Sequence, residues 1–314
     1  MGALVAPSPD PSAKKETVSV GYVLVPVVVA DRKGRTVPGL KASDFVLLCE
    51  GRRVAFDLFE ESRDAPVSFT ILLDGSGSMG LAGKLEGAKE ALRALSQQRR
   101  TGDDFSLHVF ASGEVREVIP FTTEPGVLLD AVDRVKPFGK TAFYDALVRM
   151  PDKSLLGKNG SRAIILLTDG IDNASTLSQQ QLKEILEGID VPVYPLGLRN
   201  AAALRGWKGQ GARTGEALIN LEILEEIAMT SGGRLAVSDD PKDLRDAITL
   251  IENDLRSQYL LGFAPAAKGQ VRFRSLAVTT ARPVRVVKMR AGYKGTAPPY
   301  RSGPTNGPET GRPN

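Results

Sequence analysis

The chain has 314 residues, of which 42% are hydrophobic and 25% charged, a composition typical of a folded globular protein with room for two domains. The net charge is +4, but the basic residues are dispersed along the sequence, so we expect no nucleic-acid partner. Cys49 is the only cysteine, which excludes an internal disulfide and a multi-cysteine zinc site, and no apolar run reaches the roughly 18–20 residues of a membrane span.

The first 66 residues contain a polar segment followed by strand signals. Residues 1–16 are rich in Pro, Ser and Lys and are predicted to be disordered. Residues 17–66 are predicted to form an N-terminal β half, because β-branched and apolar runs alternate there with turn clusters. Pro26 favours an edge or bulge position for the first strand, and residues 50–52 predict a turn. The predicted strands are 23–29, 45–48 and 54–59.

After Pro66 the pattern changes, and we assign residues 67–256 to a separate α/β domain. Short apolar runs alternate with stretches of helical period, which is typical of a doubly wound, mostly parallel sheet buried on both faces. The predicted strands are 68–73, 105–110, 163–167 and 191–196, with 115–119 as a short antiparallel edge strand. The predicted helices are 84–97, 126–135, 142–150, 178–188, 219–229 and 241–254.

From Ser257 the chain returns to strand signals without further helices. Strands are predicted at 258–263, 271–279 and 284–289, so residues 257–294 form a predicted C-terminal β half. We expect these strands to pair with the N-terminal ones, which would make the α/β domain an insertion between two halves of one β-sandwich. Residues 295–314 are rich in Pro and Gly and are predicted to be a disordered tail.

The loop after strand 68–73 carries the clearest chemical signal. It places Asp74, Ser76 and Ser78 at the carboxyl end of a buried strand, where open α/β folds hold their ligands. Oxygen ligands suit a hard cation such as Mg²⁺, and the intervening Gly75 and Gly77 permit a tight backbone path. The loop therefore predicts a divalent-metal site.

Together with two later segments, this loop resembles the metal-ion-dependent adhesion site of the von Willebrand factor A family. That site has the pattern D-x-S-x-S, then T, then D, and Asp74, Ser76, Ser78, Thr141 and Asp169 match it. The resemblance implies that these five residues hold Mg²⁺, with Mn²⁺ or Ca²⁺ as alternatives. It also implies a protein partner whose Asp or Glu carboxylate completes the metal shell.

Three further residues are secondary candidates. Asp172 could hold a water on the metal, although a solvated loop position explains it equally well, and Asp145 fits best as a charge in the first turn of a helix. Trp207 lies in the loop 198–218, which follows the carboxyl end of a strand. It could anchor a partner or simply pack on the domain.

The flanks of the α/β domain carry a second resemblance. Residues 25–45, 255–263 and 290–293 are similar to the opening and ending of the A-domain-related proteins abundant in acidobacteria, so the whole resemblance covers about residues 18–294. Such proteins are often exported, and residues 2–6 resemble the small-residue end of a signal peptide. We therefore expect an extracytoplasmic location, either periplasmic, in the cell envelope or secreted.

Other functional classes fit the sequence less well. The glycines of residues 75–80 match the dinucleotide fingerprint, but no acidic residue ends the next strand. Residues 139–141 look like the end of a P-loop, yet Arg134 stands where its first glycine should be. His108 is predicted inside a strand, which argues against a serine hydrolase. We expect a non-enzymatic adhesion-type module; the alternatives are an accessory or assembly subunit that docks onto an enzyme, or a structural envelope protein.

Overall fold

The structure is a computed structural model that describes residues 22–32, 35–81, 83–198, 214–238, 241–282 and 284–300. The predicted disordered segment 1–16, Trp207 and residues 301–314 of the predicted tail lie outside the described residues. In chain order the strands are β1 (Val23–Ala30), β2 (Phe45–Cys49), β3 (Arg52–Arg53), β4 (Leu58–Arg63), β5 (Val67–Asp74), β6 (Asp104–Ala111), β7 (Glu114–Thr122), β8 (Ser161–Thr168), β9 (Val193–Leu198), β10 (Ala236–Ser238), β11 (Ser257–Phe263), β12 (Arg272–Thr280), β13 (Arg285–Met289) and β14 (Gly292–Gly295). The helices are α1 (Lys84–Gln98), α2 (Pro125–Asp133), α3 (Phe143–Leu147), α4 (Met150–Ser154), α5 (Gln179–Leu186), α6 (Thr214–Ser231) and α7 (Pro241–Arg256).

The central domain is the predicted α/β fold. Its six-stranded sheet has the order β10-β9-β8-β5-β6-β7, and all neighbouring strands are parallel except β6 and β7. Every residue of β5 and β6 is buried, as expected for strands covered on both faces. The predicted fold class and the antiparallel edge strand are confirmed.

Two apolar layers cover this sheet. On one face, α1, α2 and α7 pack against alternate side chains of β5 such as Phe69 and Ile71. On the other face, α3, α4, α5 and α6 pack around Leu72, Ile164 and Leu166. The alternation along β5 follows from the two-residue period of a strand, and the two layers hold the loops at the carboxyl edge in place.

Strands from both ends of the chain form a β-sandwich. Its two sheets have the orders β13-β1-β11-β4 and β14-β12-β2-β3, so each contains N-terminal and C-terminal strands. The antiparallel pairs β1 with β11 and β2 with β12 join the ends directly. Between the sheets lies a separate core that includes Leu47, the free Cys49 and Phe263. The α/β domain leaves the sandwich after β4 and returns to it at β11.

Several local predictions are wrong. Pro26 lies in an inner strand rather than an edge strand, since β1 lies between β11 and β13. However, β13 pairs only from Val27 onward, so Pro26 itself is unpaired on that side, and the register shifts between Val28 and Val29. The predicted strand 54–59 is displaced: β3 ends at Arg53 and β4 begins only at Leu58, so most of the predicted segment lies between the two strands. The predicted helix 142–150 becomes two short helices, because α4 starts anew with Pro151 in its first turn.

The prediction of disorder is wrong for residues 295–300. The backbone N–H of Ala55 donates to the carbonyl of Pro299 at 2.8 Å, and Tyr300 pairs with Val54 in an isolated bridge. The guanidinium of Arg52 stacks 3.9 Å above the Tyr300 ring. Residues 295–300 are therefore held against the sandwich.

Arg256, the last residue of α7, links the two segments that connect the α/β domain to the sandwich. Its side chain is only 2% exposed, and its Nη2 lies 2.6 Å from Oδ2 of Asp103. The same guanidinium pairs with Glu252 at 2.6 Å and donates to the carbonyl of Ala65 at 3.1 Å, in the segment that enters β5. No helix in the described part of the chain is long and apolar enough to cross a membrane.

Candidate metal centre

Asp74 is the last residue of β5, and its side chain is fully buried at the carboxyl edge of the sheet. Its Oδ1 accepts a hydrogen bond from the backbone N–H of Ser76 at 2.9 Å. Its Oδ2 accepts one from the hydroxyl of Thr168 at 2.7 Å. Thr168 lies there because β8 runs parallel to β5 with Leu73 opposite Leu167. Both carboxylate oxygens are therefore held in fixed directions.

The two serines continue from Asp74 into a short 3-10 helix, Gly77–Gly80. Their hydroxyl oxygens are 3.0 Å apart, and Ser76 is 1% exposed. Gly75 is required by close packing, since a Cβ there would lie 2.7 Å from Cγ1 of Val109. The loop therefore gathers one carboxylate and two hydroxyls over five residues.

A second loop brings Thr141 to the same edge. The N–H of Gly77 donates to the carbonyl of Gly139 at 3.0 Å, which joins this loop to the serine loop. Thr141 is 1% exposed, and its N–H donates to Oδ1 of Asn173 at 2.9 Å. The N–H of Asn173 in turn donates to the carbonyl of Thr141 at 2.9 Å, which joins the second loop to the third.

The third loop carries Asp169, whose carboxylate already has a cationic partner. Oδ2 of Asp169 lies 2.7 Å from Nζ of Lys84, and the two side chains are only 2% and 13% exposed. Oδ1 accepts a hydrogen bond from the N–H of Ile171 at 3.2 Å. Lys84 is the first residue of α1, so the helix positions its ammonium group beside the candidate site.

The electrostatics of Asp74 are those of a carboxylate that lacks a counter-charge. Burial raises its pKa from 3.8 to about 6, despite hydrogen bonds from Ser76 and Thr168 that favour the charged form, and the nearby Asp169 raises it further. Within the described residues, no Lys, Arg or His makes an ion pair with Asp74. A cation bound beside it would supply the missing charge.

The donor set suits a hard divalent cation. Asp74, Ser76, Ser78, Thr141 and Asp169 offer oxygen atoms alone, and two of the five are carboxylates. In the part of the chain that the structure describes, no cluster holds three or more His, Cys, Asp or Glu residues. The five candidate side chains include no thiolate or imidazole, so they offer a cation oxygen ligands only.

The two secondary aspartates brace the loops. Asp172 accepts hydrogen bonds at its Oδ2 from the N–H of Tyr144 at 3.1 Å and from the hydroxyl of Ser175 at 2.7 Å. Asp145 accepts hydrogen bonds from Thr176 at 2.8 and 2.9 Å and from the N–H of Leu177 at 3.0 Å. Burial alone would raise the pKa of Asp145, but these donors outweigh it and hold the pKa below its ordinary value.

Three contributors were missed in the sequence: Thr168, Lys84 and Asn173. Thr168 could have been found, because it precedes Asp169 at the end of the strand beside β5. Lys84 also leaves a weak signal, since a lysine in the first turn of a helix opposes the helix dipole and calls for a carboxylate partner. Asn173 bonds to Thr141 through loop geometry that residue order does not specify.

Comparison with known proteins gives one family match. Residues 69–171 match the model of the von Willebrand factor type A domain. A curated protein of Borreliella burgdorferi, described as uncharacterized, is 27% identical over 142 residues. That alignment covers 43% of this chain and 41% of the relative, so the chain spans about two fifths of the relative's length.

Several solved structures are similar to this one. A von Willebrand factor type A protein from Catenulispora acidiphila has a TM-score of 0.48 at 14% identity, covering 88% of this chain and 74% of that one. The corresponding domain of the type V pili tip protein Mfa5 from Porphyromonas gingivalis has a TM-score of 0.31 at 19% identity, covering 34% and 39%. Proximal thread matrix protein 1 from the mussel byssus, with a zinc-occupied MIDAS motif, has a TM-score of 0.43 at 20% identity, covering 61% and 48%.

Proposed function

Because residues 69–171 match the von Willebrand factor type A domain, we propose that this chain is a non-enzymatic, metal-dependent protein-binding module. Asp74, Ser76, Ser78, Thr141 and Asp169 would hold Mg²⁺, with Mn²⁺ or Ca²⁺ as alternatives, directly or through water. The bound ion would supply an open coordination position for an Asp or Glu carboxylate of a partner protein.

The main support for this proposal is the balance between the charges of the ion, Asp74, Asp169 and Lys84. Asp74 and Asp169 alone would neutralise a divalent ion, but the buried ammonium of Lys84 already neutralises Asp169 at 2.7 Å. A divalent ion at this site would therefore leave one uncompensated positive charge in a largely buried setting. One external carboxylate cancels that charge, and a charge buried without compensation is costly.

The rigidity of the three loops supports a binding role. Backbone hydrogen bonds connect the serine loop to the second loop at Gly77 and Gly139, and the second to the third at Thr141 and Asn173. Such a surface is preorganised, so binding a partner would cost little conformational entropy.

The non-enzymatic part of the proposal is supported by the position of the chain's only histidine. His108 lies inside β6 and is 1% exposed, and burial lowers its pKa, which favours the neutral ring. Among the described residues its Nδ1 has no hydrogen-bond partner, so no carboxylate orients the ring as a catalytic triad would require.

Isothermal titration calorimetry of the full chain tests the metal site. We expect MgCl₂ or MnCl₂ to bind the wild-type chain and not Asp74→Asn. Asp130→Asn is the matched control, because Asp130 is exposed on α2 and outside the loops, and it should bind metal normally. Equal binding by both variants would refute the assignment of Asp74.

A pull-down from envelope extracts then tests the partner. We expect protein capture that is lost in EDTA and lost with Asp74→Asn. Capture that survives both changes would instead favour a structural envelope protein whose metal only stiffens the loops. Recovery of an enzyme would favour the accessory-subunit alternative.

Cell fractionation with an antibody against the chain tests the proposed extracytoplasmic location. Recovery in the cytoplasmic fraction alone would refute that location.

A further inference from the structure

Each of the three loops that carry the candidate ligands also exposes one large apolar side chain. Leu81 follows the serine loop and is 65% exposed, Phe138 precedes Thr141 and is 58% exposed, and Ile171 follows Asp169 and is 38% exposed. Single exposed apolar residues are ordinary on a protein surface. Three of them on three separate loops around one centre form a patterned surface, which we call the apolar rim.

Backbone hydrogen bonds fix the apolar rim to the ligand set. The N–H of Leu81 donates to the carbonyl of Ser78 at 3.2 Å, and that of Ile171 donates to Oδ1 of Asp169 at 3.2 Å. The N–H of Phe138 donates to the carbonyl of Gly75 at 2.8 Å, next to Asp74. Each rim residue therefore lies within one hydrogen bond of a candidate ligand or its immediate neighbour.

Two exposed lysines place positive charge beside the apolar rim. Lys136 and Lys140 are exposed and bracket Phe138 in the second loop. Asp74 and Asp169 are buried among their own partners. A partner approaching this face meets exposed apolar surface and lysine ammonium groups.

We propose that the apolar rim receives an acidic segment of a partner protein whose central carboxylate is flanked on both sides by apolar side chains. This inference rests on the proposed function, because the central carboxylate is the one that would complete the metal shell. The flanking side chains would bury Leu81, Phe138 and Ile171, and further acidic residues would face Lys136 and Lys140.

Other occupants fit the surface less well. A second copy would place its own Lys136 and Lys140 against the same lysines, and like charges repel across an interface. An anionic membrane surface would present many charges at once, whereas the metal-loaded centre beside Lys84 would need only one further negative charge. Exposed apolar side chains lie on each of the three loops that carry the centre. A protein segment with one central carboxylate matches both features.

Fluorescence anisotropy with labelled seven-residue peptides and the full chain tests the inference. The first peptide has a central Glu flanked by Leu and Phe, the second has Gln in place of Glu, and the third keeps Glu but has Ser flanks. In MgCl₂ we expect the first peptide to bind at least about tenfold more tightly than either other peptide, a difference of about 1.4 kcal/mol. EDTA should abolish its binding.

Variants of the chain separate the rim from the metal. Phe138→Ser should weaken binding of the first peptide about tenfold. It should leave binding of the Ser-flanked peptide and calorimetric Mg²⁺ binding unchanged. The matched control is Leu156→Ser, because Leu156 is 68% exposed and lies outside the three loops, between α4 and β8. This control should bind all peptides as the wild type does.

The outcomes distinguish the two levels of the proposal. If the Ser-flanked peptide binds as tightly as the first, or Phe138→Ser has no effect, the rim inference is wrong while the metal function stands. If the Gln peptide binds equally well and EDTA has no effect, the proposed function fails. The inference would be overturned if no peptide bound at concentrations up to about 1 mM. It would also be overturned if the chain bound phosphatidylserine vesicles and the first peptide did not compete with them.

Discussion

Replacement of Asp74 by Asn should stabilise the metal-free protein at alkaline pH. The carboxyl has a pKa of 3.8 in the reference state and about 6 in the folded chain, mainly because it is buried. The folded state therefore binds this proton more tightly than the unfolded state does. Stability falls as the pH rises from 3.8 to 6, and above pH 6 the full cost of the buried charge remains.

The size of the effect follows from the same pKa. Each unit of pKa difference between folded and unfolded states corresponds to about 1.4 kcal/mol, so the buried charge of Asp74 costs about 3 kcal/mol above pH 6. An Asn side chain has the same shape and no charge. The hydroxyl of Thr168 can reverse its hydrogen bond and accept from the amide, so little is lost there. We expect Asp74→Asn to be about 2–3 kcal/mol more stable at pH 8 in EDTA.

Urea unfolding followed by circular dichroism measures this difference at pH 5, 6.5 and 8. The gain of the variant should shrink toward zero as the pH approaches 4. MgCl₂ at about 1,000 times its Kd should reverse the ranking, because ion at that concentration adds about 4.1 kcal/mol to the wild type and nothing to the variant. A variant that is less stable in EDTA at pH 8, or a difference that does not change between pH 5 and 8, would refute the reasoning.

Other residues give three further predictions. Lys84→Met should leave the buried carboxylate of Asp169 without a cation, so the metal-free protein should lose stability. The rise in Tm on adding MgCl₂ should then exceed that of the wild type, and equal rises would contradict this. Arg256→Met should cost about 3–5 kcal/mol in urea unfolding by stranding Asp103, and a cost below about 1 kcal/mol would show that the buried pair is dispensable. Gly139→Ala should weaken calorimetric Mg²⁺ binding, because its φ is +72° and a Cβ would overlap a neighbouring side chain; Gly113→Ala, at φ +81° with open space, is the control and should bind Mg²⁺ normally.

The fold could be predicted where the pattern of apolar residues is local. β5 and β6 are short, mainly apolar segments that alternate with stretches of helical period, and this pattern predicted their burial on both faces. That the strand of Pro26 lies inside the sheet could not be predicted, because tolerance of a proline there depends on where the neighbouring strand β13 begins to pair. Pairing between strands more than 200 residues apart is set by the sandwich as a whole.

The candidate site also contains some residues that could be predicted from the sequence and others that could not. The oxygen donors from Asp74 to Ser78 follow from one strand and one loop, and Thr141 and Asp169 followed from family resemblance. The role of Lys84 could not be predicted in either way, because Lys84 and Asp169 are 85 residues apart in sequence and meet only when α1 packs beside the third loop. That one contact changes the charge balance of the site, although Lys84 leaves only a weak signal in the sequence.

The two connections at Arg256 have a mechanical consequence. The candidate site lies at the carboxyl end of β5, whereas the chain enters at Val67 and leaves at Arg256, at the opposite end of the sheet. A force applied through a bound partner would act along β5. The two covalent connections to the sandwich would share it, and the buried guanidinium of Arg256 links them through hydrogen bonds to Ala65 and Asp103. Strands β5, β6 and β8 are parallel and would be loaded in shear, so many hydrogen bonds would resist the force together.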